Sequence, residues 1–338
     1  MRIKKMLLVL LAAVLPLSAQ SQSDPYRFIE LGPLDEAVQS YPLDINNRGQ
    51  VVGRSGGWNS SECNAVLWEN SIPTDLGPLD EADCSEARAI NNLGQIVGFS
   101  GTSVSGRHYA VHAVLWDNGT ITDLLMPPGD ETALASGIND RGQIIGAGAG
   151  DGQYGLLWDN GTITKLEAIE IWWDPTASQY GRLGPFAAAY GINNRGQIVG
   201  VSTTLTGVHA VLWENGIPTD LGTLDGHNYS EAFGINERGQ IMGISGVWAD
   251  GCNAGLCSAV LWENGTIMDL GIPMSPAGLP YGINNSGQIV FTSSDRAVLW
   301  DKGTTTELGW GVAYGNNDRG QIVGRSDDFP GGAALWTR

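Results

Sequence analysis

The stretch Ile192-Asn193-Asn194-Arg195-Gly196-Gln197-Ile198-Val199-Gly200 occurs, with substitutions, seven times along this chain. The copies begin at Ile45, Ile90, Ile138, Ile192, Ile235, Ile283 and, with a changed first residue, Asn316. The Asn of each copy can bond its side chain to the following backbone, and the Gly three residues later tolerates positive φ. The pattern therefore predicts two strands joined by a tight turn.

A second recurring feature is a short apolar run that ends in Trp, which predicts a buried strand. The tryptophans are Trp68, Trp116, Trp158, Trp213, Trp262, Trp300 and Trp336. Most are soon followed by Asn-Gly, as at Asn215-Gly216, the strongest short hairpin signal. A fourth strand of the type Ile-Thr-Asp-Leu leaves that turn. Four strands in a period of roughly 40 to 50 residues are typical of a β-propeller blade.

The sequence thus predicts an all-β fold, a seven-bladed β-propeller of four-stranded antiparallel blades that forms one domain over residues 24–338. Phe28 to Gly32 looks like a lone fourth strand, and Ala333 to Trp336 is a third strand. Pairing these N-terminal and C-terminal strands would close the ring and remove exposed sheet edges. By the usual closure pattern the Ala-x-Gly-Ile-Asn strand is innermost, where small residues such as Ala189 and Gly191 allow crowding.

Residues 1–22 have the character of a signal peptide: Arg2, Lys4 and Lys5 precede an apolar run and small residues. We expect an exported protein, either secreted to the extracellular space or periplasmic, without membrane insertion, and a monomer. The chain has 18 Lys plus Arg, 36 Asp plus Glu and a formal charge of −18. Loss of the three N-terminal basic residues leaves 15 against 36, about −21, which disfavours nucleic acid as a partner.

Four cysteines in an exported chain predict two disulfides. Cys252 and Cys257 lie in one predicted loop, and Cys63 and Cys84 fall at the same end of adjacent blades. We therefore predict these two pairs. Free or metal-binding thiols are the weaker alternative, because no partner His is nearby in the sequence.

Blade topology places the tight turns at one end and every irregular connection at the other. Variable loops on a rigid scaffold usually carry recognition, so we predict the binding surface on this irregular-loop face. Its candidate ligand-binding aromatic residues are Trp58, Trp172, Trp173 and Trp248. They suit stacking on sugar rings or gripping a partner, or they pack against the disulfide-bearing loops.

Acidic residues recur between predicted blades, and the candidates for a ligand site are Asp80, Asp83, Asp225 and Glu231. Converging carboxylates could bind Ca²⁺ or form an acid and base pair for glycoside cleavage. The chain has no Asp-x-Asp-x-Asp ligand run, and solvated turn residues are the simpler interpretation. We therefore predict no cofactor and no metal site.

Over nearly the whole of its predicted mature length the chain resembles the bacterial extracellular repeat family called HAF, named for His-Ala-Phe ahead of Leu-Trp. The matching stretches are His112 to Trp116 and His209 to Trp213, each with the Asn-x-x-Gly-Gln hairpin upstream. Val replaces Phe here, and other blades replace the His, which argues against a chemical role for it. The replacing residues are Asn64, Tyr154, Ser258 and Arg296. The resemblance implies a secreted, propeller-like protein without an established activity.

Three functions from different classes fit these features. The favoured one is a non-catalytic recognition or scaffold propeller that binds a glycan or an extracellular protein through the irregular-loop face. The second is a polysaccharide-acting enzyme, a glycosidase or lyase, using acidic loop residues. The third is a structural envelope protein. The sequence contains no nucleophile elbow, phosphate loop or dinucleotide fingerprint, so we identify no catalytic residue.

Overall fold

The computed structural model describes residues 26–35, 39–56, 63–80, 82–104, 107–150, 152–169, 186–247, 257–274, 279–327 and 332–338. Every regular element in these residues is a β-strand, which confirms the all-β prediction. None of the described segments forms a helix long and apolar enough to cross a membrane.

The strands form antiparallel groups of four that follow the repeat, preceded by β1 (Arg27–Glu30). The first group is β2 (Ser40–Ile45), β3 (Val51–Ser55), β4 (Asn64–Glu69) and β5 (Ile72–Asp75). The second is β6 (Cys84–Ile90), β7 (Ile96–Val104), β8 (Arg107–Asp117) and β9 (Thr120–Asp123). The third is β10 (Thr132–Ile138), β11 (Ile144–Gly150), β12 (Gly152–Asp159) and β13 (Thr162–Lys165).

The fourth group is β14 (Ala187–Ile192), β15 (Ile198–Thr204), β16 (Gly207–Glu214) and β17 (Ile217–Asp220). The fifth is β18 (Tyr229–Ile235), β19 (Ile241–Gly246), β20 (Cys257–Glu263) and β21 (Thr266–Met274). The sixth is β22 (Pro280–Ile283), β23 (Ile289–Ser293), β24 (Arg296–Asp301) and the start of β25 (Thr304–Asn316). The remainder of β25 opens the last group, with β26 (Ile322–Ser326) and β27 (Ala333–Thr337).

Three features join groups in ways that simple repetition does not. A parallel bridge between Val208 of β16 and Tyr229 of β18 links the fourth and fifth groups. The strand β25 pairs with β24 through its first half and with β26 through its second half, so one strand serves two groups. At the other edge of the last group, β1 pairs antiparallel with β27, and Phe28 lies opposite Trp336. The last group therefore obtains its fourth strand from the N-terminal part of the chain.

The inner strands, which carry the Ala-x-Gly-Ile-Asn pattern, lie against one another. They are β2, β6, β10, β14, β18, β22 and the second half of β25. Each contacts the next along the chain, and β25 also contacts β2. The predicted inner position of this strand agrees with these contacts.

The Asn of each turn is buried and uses its whole hydrogen-bonding capacity. Asn193 Oδ1 accepts from the backbone N–H groups of Arg195 (3.0 Å) and Gln197 (3.1 Å). Its Nδ2 donates to Gln197 Oε1 (2.7 Å) and to the backbone oxygen of Asn236 in the next group (3.1 Å). The side chain thus stabilises its own turn and binds it to the neighbouring turn.

The bond from Nδ2 to the next Asn repeats around the molecule and returns to its start. It runs through Asn46, Asn91, Asn139, Asn193, Asn236, Asn284 and Asn317, whose Nδ2 donates to Asn46 O. A second cycle joins the following residues, each backbone N–H donating to the next group's side chain. Its members are Asn47, Asn92, Asp140, Asn194, Glu237, Asn285 and Asp318.

The final Gly of the repeat lies opposite a bulge in the inner strand in six copies, and the sixth group has Phe291 at this place. In the fourth group the register shifts between Ala189 and Gly191, leaving Tyr190 as an extra residue. A Cβ at Gly200 would overlap the backbone oxygen of Ala188 across this bulge. The same shift occurs in all seven inner strands, so close backbone approach explains this Gly in six copies.

The hydrophobic core lies between adjacent groups rather than at one centre. The seven repeat tryptophans are at most 8% exposed, which confirms them as core residues. Trp213 packs with Ile145 and Ala189, and its Nε1 donates to Glu167 O of the preceding group at 2.8 Å. Each tryptophan of this type therefore couples two neighbouring sheets by packing and, in most copies, by a hydrogen bond.

Replacing the buried turn asparagine should destabilise the protein strongly. In Asn193→Ala two backbone donors and the Asn236 oxygen lose their partner, and we expect the free energy of unfolding to fall by about 2–4 kcal/mol. Chemical denaturation of the wild type and the variant measures this fall in the free energy of unfolding. The control Arg195→Ala removes an exposed side chain from the same turn, and equal losses for the two variants would contradict the role assigned to Asn193.

Glycine at the bulge should not tolerate a methyl group. In Gly98→Ala the new Cβ would overlap the Glu86 backbone oxygen, whereas the same change at Gly32 meets nothing within 4 Å. We expect Gly98→Ala to lower the free energy of unfolding by about 3 kcal/mol or more and Gly32→Ala by less than about 1 kcal/mol. Comparable unfolding midpoints for the two variants would contradict this prediction, because they would show that the bulge accommodates a methyl group.

Candidate functional site

The predicted aromatic site residues Trp58, Trp172, Trp173 and Trp248 lie outside the described residues. Asp80 and Asp83 are exposed in the connection that precedes β6, and Asp225 is exposed in the connection that precedes β18. These two connections are three groups apart. The predicted acidic residues therefore occupy equivalent places in separate repeats and do not converge on one site.

Glu231 is not a loop residue, although the sequence pattern places it between blades. It lies within the inner strand β18, is partly buried, and accepts a hydrogen bond from the Tyr229 hydroxyl. The interpretation was wrong because this inner strand begins at Tyr229, earlier than the recurring Ala-x-Gly-Ile-Asn pattern. Glu86 occupies the equivalent position of β6.

Asp225 borders an open cavity of about 400 Å³ that lies between the connection before β18 and the strands β20 and β21 of the fifth group. Its lining residues are Thr223, Leu224, Asp225, His227, Ser258, Ile267 and Asp269. Asp269 already accepts bonds from the Ser258 hydroxyl (3.2 Å) and from Gly271 N–H (2.8 Å), and His227 Nδ1 lies 3.0 Å from Ser245 Oγ. The polar groups of this cavity are thus mostly engaged within the protein.

The histidine of the HAF-like stretch has a structural partner eleven residues later. His209 Nδ1 lies 2.9 Å from Asp220 Oδ2, and His112 Nδ1 lies 2.8 Å from Asp123 Oδ2. Burial acts to raise the pKa of Asp220, but hydrogen bonds from His209 and Gly222 hold it below its ordinary value. Arg296 and Glu307 form the equivalent pair at 3.0 Å. This position therefore holds a cross-strand pair.

The predicted disulfide between Cys63 and Cys84 is present, with a Cα–Cα distance of 4.8 Å. It links the residue before β4 to the first residue of β6 in the next group. Cys257 is also disulfide-bonded, while its predicted partner Cys252 lies outside the described residues. No set of three or more His, Cys, Asp or Glu in the described part of the chain could hold a metal ion.

Each bulge leaves one residue per inner strand without a cross-strand partner, and we name these residues the axial layer. They are Leu43, Arg88, Ser136, Tyr190, Phe233, Tyr281 and Tyr314. All are at least partly exposed, whereas the Ala or Pro that precedes each is buried. The sequence does mark these residues, because each occupies the variable position of the Ala-x-Gly-Ile-Asn pattern, between two small residues.

Four consecutive members of the axial layer are aromatic, and we name them the aromatic arc: Tyr190, Phe233, Tyr281 and Tyr314. Tyr190 stacks on Phe233 with ring centroids 5.7 Å apart and an interplanar angle of 22°. Tyr281 meets Tyr314 edge to face at 5.4 Å. Tyr190 retains 37% exposure. The arc is thus a pre-assembled aromatic surface within reach of solvent.

The remaining part of the axial layer is more polar and is backed by a buried ion-pair cluster. Glu86 is 3% exposed and binds Arg54 Nη1 (3.4 Å) and Arg88 Nε (2.9 Å). The Arg54 guanidinium also lies 5.3 Å from the centre of the Tyr41 ring. Glu86 is therefore committed to two arginines.

Two tyrosines of the arc keep their protons over the physiological range. Burial raises the pKa of Tyr281, and burial together with the neighbouring Tyr281 raises the pKa of Tyr314 to about 12. Their hydroxyl groups are therefore neutral hydrogen-bonding groups at pH 7, not phenolate bases.

Asp44 stands where five of the other copies have Gly and one has Ala. Its Oδ1 accepts from Ile45 N–H (2.8 Å) and its Oδ2 from Ile90 N–H of the next inner strand (2.9 Å). Burial raises the pKa of Asp44 to about 6, although both hydrogen bonds act to lower it. The carboxyl joins the first two inner strands.

Comparison with known proteins shows similarity at the level of structure alone. No protein-family model matches the chain, and no curated protein is significantly similar to it. YCF48 bound to D1 peptide matches with 12% identity and a TM-score of 0.52, over 93% of this chain and 97% of that one. The β-propeller domain of the Trilobed protease from Pyrococcus furiosus matches with 10% identity and a TM-score of 0.51, over 88% and 93%.

A larger match is the acylaminoacyl peptidase from Pyrococcus horikoshii, with 12% identity, a TM-score of 0.52 and 88% of this chain covered. The chain spans 51% of that peptidase, about half of its length. At these identities the similarity shows the fold alone. Together with the four-stranded antiparallel sheets, it identifies the molecule as a β-propeller.

The carboxyl of Asp44 should make stability depend on pH. Because its folded pKa of about 6 exceeds the unfolded value of 3.8, its contribution is fully present below pH 4 and is lost as the pH rises through 6. Relative to Asp44→Gly, the wild type should lose about 1–3 kcal/mol of unfolding free energy between pH 4 and pH 7. Denaturation across this range measures the difference, and parallel pH profiles would contradict it.

Proposed function

We propose that this protein is an exported, non-catalytic recognition propeller of seven blades that binds a glycan or protein partner from its irregular-loop face. Seven repeats, the pairing of β1 with β27 and the return of both hydrogen-bond cycles to their start support seven blades and closure. The basic and apolar N-terminal segment and the Cys63–Cys84 disulfide support export, because disulfides persist in oxidising compartments.

The aromatic arc is the observation that carries the binding role. Four aromatic residues occupy consecutive bulges. The small residues on either side do not require an apolar side chain at this position. Partly exposed aromatic side chains on a rigid scaffold are typical of binding surfaces. We place the ligand in the central space, reached from the irregular-loop face, because two hydrogen-bond cycles occupy the opposite, tight-turn face.

A binding role fits the carboxylates of the central region better than hydrolysis does. Glycoside cleavage needs one carboxylate as acid and another as base or nucleophile. Glu86 is held by Arg54 and Arg88, Glu231 accepts from Tyr229, and no member of the axial layer is acidic. A polysaccharide-acting enzyme is the alternative, and turnover of any glycan by the purified protein would favour it.

The proposed partner is either a glycan or a protein. The similar propeller YCF48 was solved with the D1 peptide, which supports keeping a peptide or protein partner beside a glycan. The net charge of −18 supports excluding nucleic acid.

Binding to arrays of glycans and proteins tests the proposed function directly. Mature, oxidised protein is applied to polysaccharides, envelope glycans and extracellular proteins, with and without Ca²⁺. We expect saturable binding that a Tyr190→Ala, Phe233→Ala double variant weakens at least about tenfold, because it removes half of the arc. Trp310→Ala is the matched control, since Trp310 is 48% exposed and lies outside the arc against Arg296.

Two results would decide against parts of this proposal. A blank array would favour a purely structural protein. Binding that survives the double variant but is lost in Trp172→Ala, Trp173→Ala would move the site from the central space to the irregular loops.

A further inference from the structure

We infer that the aromatic arc binds an uncharged pyranose sugar unit, which enters the central space and stacks on these rings. This inference rests on the proposed recognition role and narrows its ligand to one class.

The choice of residue in the axial layer is not dictated by the fold. The preceding position is Ala or Pro in every copy, and the following one is Gly, Ala or Asp, because both pack against neighbouring strands. The bulge residue itself varies among Leu, Arg, Ser, Tyr and Phe while the register shift stays the same. Residues at this position can therefore be selected for a ligand.

The aromatic residues are grouped, not scattered. They occupy the fourth to seventh groups, while Leu43, Arg88 and Ser136 occupy the first three. In a closed cycle of seven, the second group faces the fifth and sixth, so Arg88 lies across the central space from Phe233 and Tyr281. One wall is aromatic and the other is largely polar.

A pyranose ring matches these two walls. It presents patches of C–H groups on its faces and hydroxyl groups around its edge, so it can stack on an aromatic ring and hydrogen-bond sideways. The arc supplies ring faces and the neutral hydroxyl groups of Tyr281 and Tyr314. Arg88, whose guanidinium lies 5.2 Å from the centre of the Phe99 ring, carries two further nitrogen donors beyond the Nε group that binds Glu86.

Charge argues for an uncharged sugar. Arg88 is paired with Glu86, and Arg325, whose charge acts on Tyr314, lies 3.4 Å from Asp327, so these arginines already have carboxylate partners. The chain as a whole is strongly acidic, which repels polyanions over the distance that screening permits. An acidic polysaccharide would be attracted to neither the centre nor the surface.

The test is calorimetric titration of the mature, oxidised protein with neutral hexasaccharides: cellohexaose, laminarihexaose, xylohexaose and chitohexaose. We expect at least one to bind saturably with little dependence on salt. Tyr190→Ala and Tyr281→Ala should each raise its Kd about tenfold or more, Tyr190→Phe should stay within about threefold, and Trp310→Ala should leave it unchanged. Thermal unfolding tests whether each variant is folded. If Tyr281→Ala does not fold, Tyr281→Leu is used in its place.

Two comparator ligands separate the ways in which the inference can fail. Binding of hexagalacturonate or of a tyrosine-containing hexapeptide, with no neutral sugar bound, would overturn the sugar assignment and leave the recognition role standing. Sugar binding unaffected by both alanine variants would also overturn it, because the site would then lie elsewhere. No binding of any titrated ligand would overturn it too, and the array experiment would then decide the recognition role separately.

Discussion

The structure depends on a buried amide that binds each tight turn to the next. An asparagine can accept two hydrogen bonds and donate two, and Asn193 makes all four within the protein. No other short side chain combines these capacities, because aspartate lacks the donors and serine lacks the reach. The same geometry in seven copies gives a cycle in which each turn positions its neighbours.

The rest of the repeat follows from this constraint. The Gln that closes each turn also donates outward in six copies, as from Gln197 Nε2 to Glu214 Oε1 at 2.6 Å, which explains the acidic residue after the tryptophan. The bulge before the Asn brings the facing strand so close that six of the seven copies have Gly there, and the tryptophan packs between neighbouring sheets. With one end of each sheet held in this way, variation is tolerated at the bulge and in the opposite connections.

Prediction from the sequence succeeded where a feature is local. The positive φ of Gly196 (79°) and of Asn215 (52°) follows from turn chemistry, and the Cys63–Cys84 pair follows from strand order. Prediction from the sequence was incomplete where a feature depends on pairing with other strands. The merging of two expected strands into β25 and the inclusion of Glu231 in β18 depend on pairing partners far along the chain, and the bulge is visible only as a change of register between facing strands.

The sequence by itself determined the repeat, the four strands of each unit, the tight turns and the buried tryptophans, because hydrophobic periodicity and turn residues act over a few neighbouring positions. Only the tertiary structure decided which variable residues meet. Tyr190 and Phe233 are 43 residues apart in the chain, but their rings stack because adjacent inner strands carry the same bulge at the same height. Periodicity shows that a position recurs, whereas contact between adjacent inner strands brings its copies together.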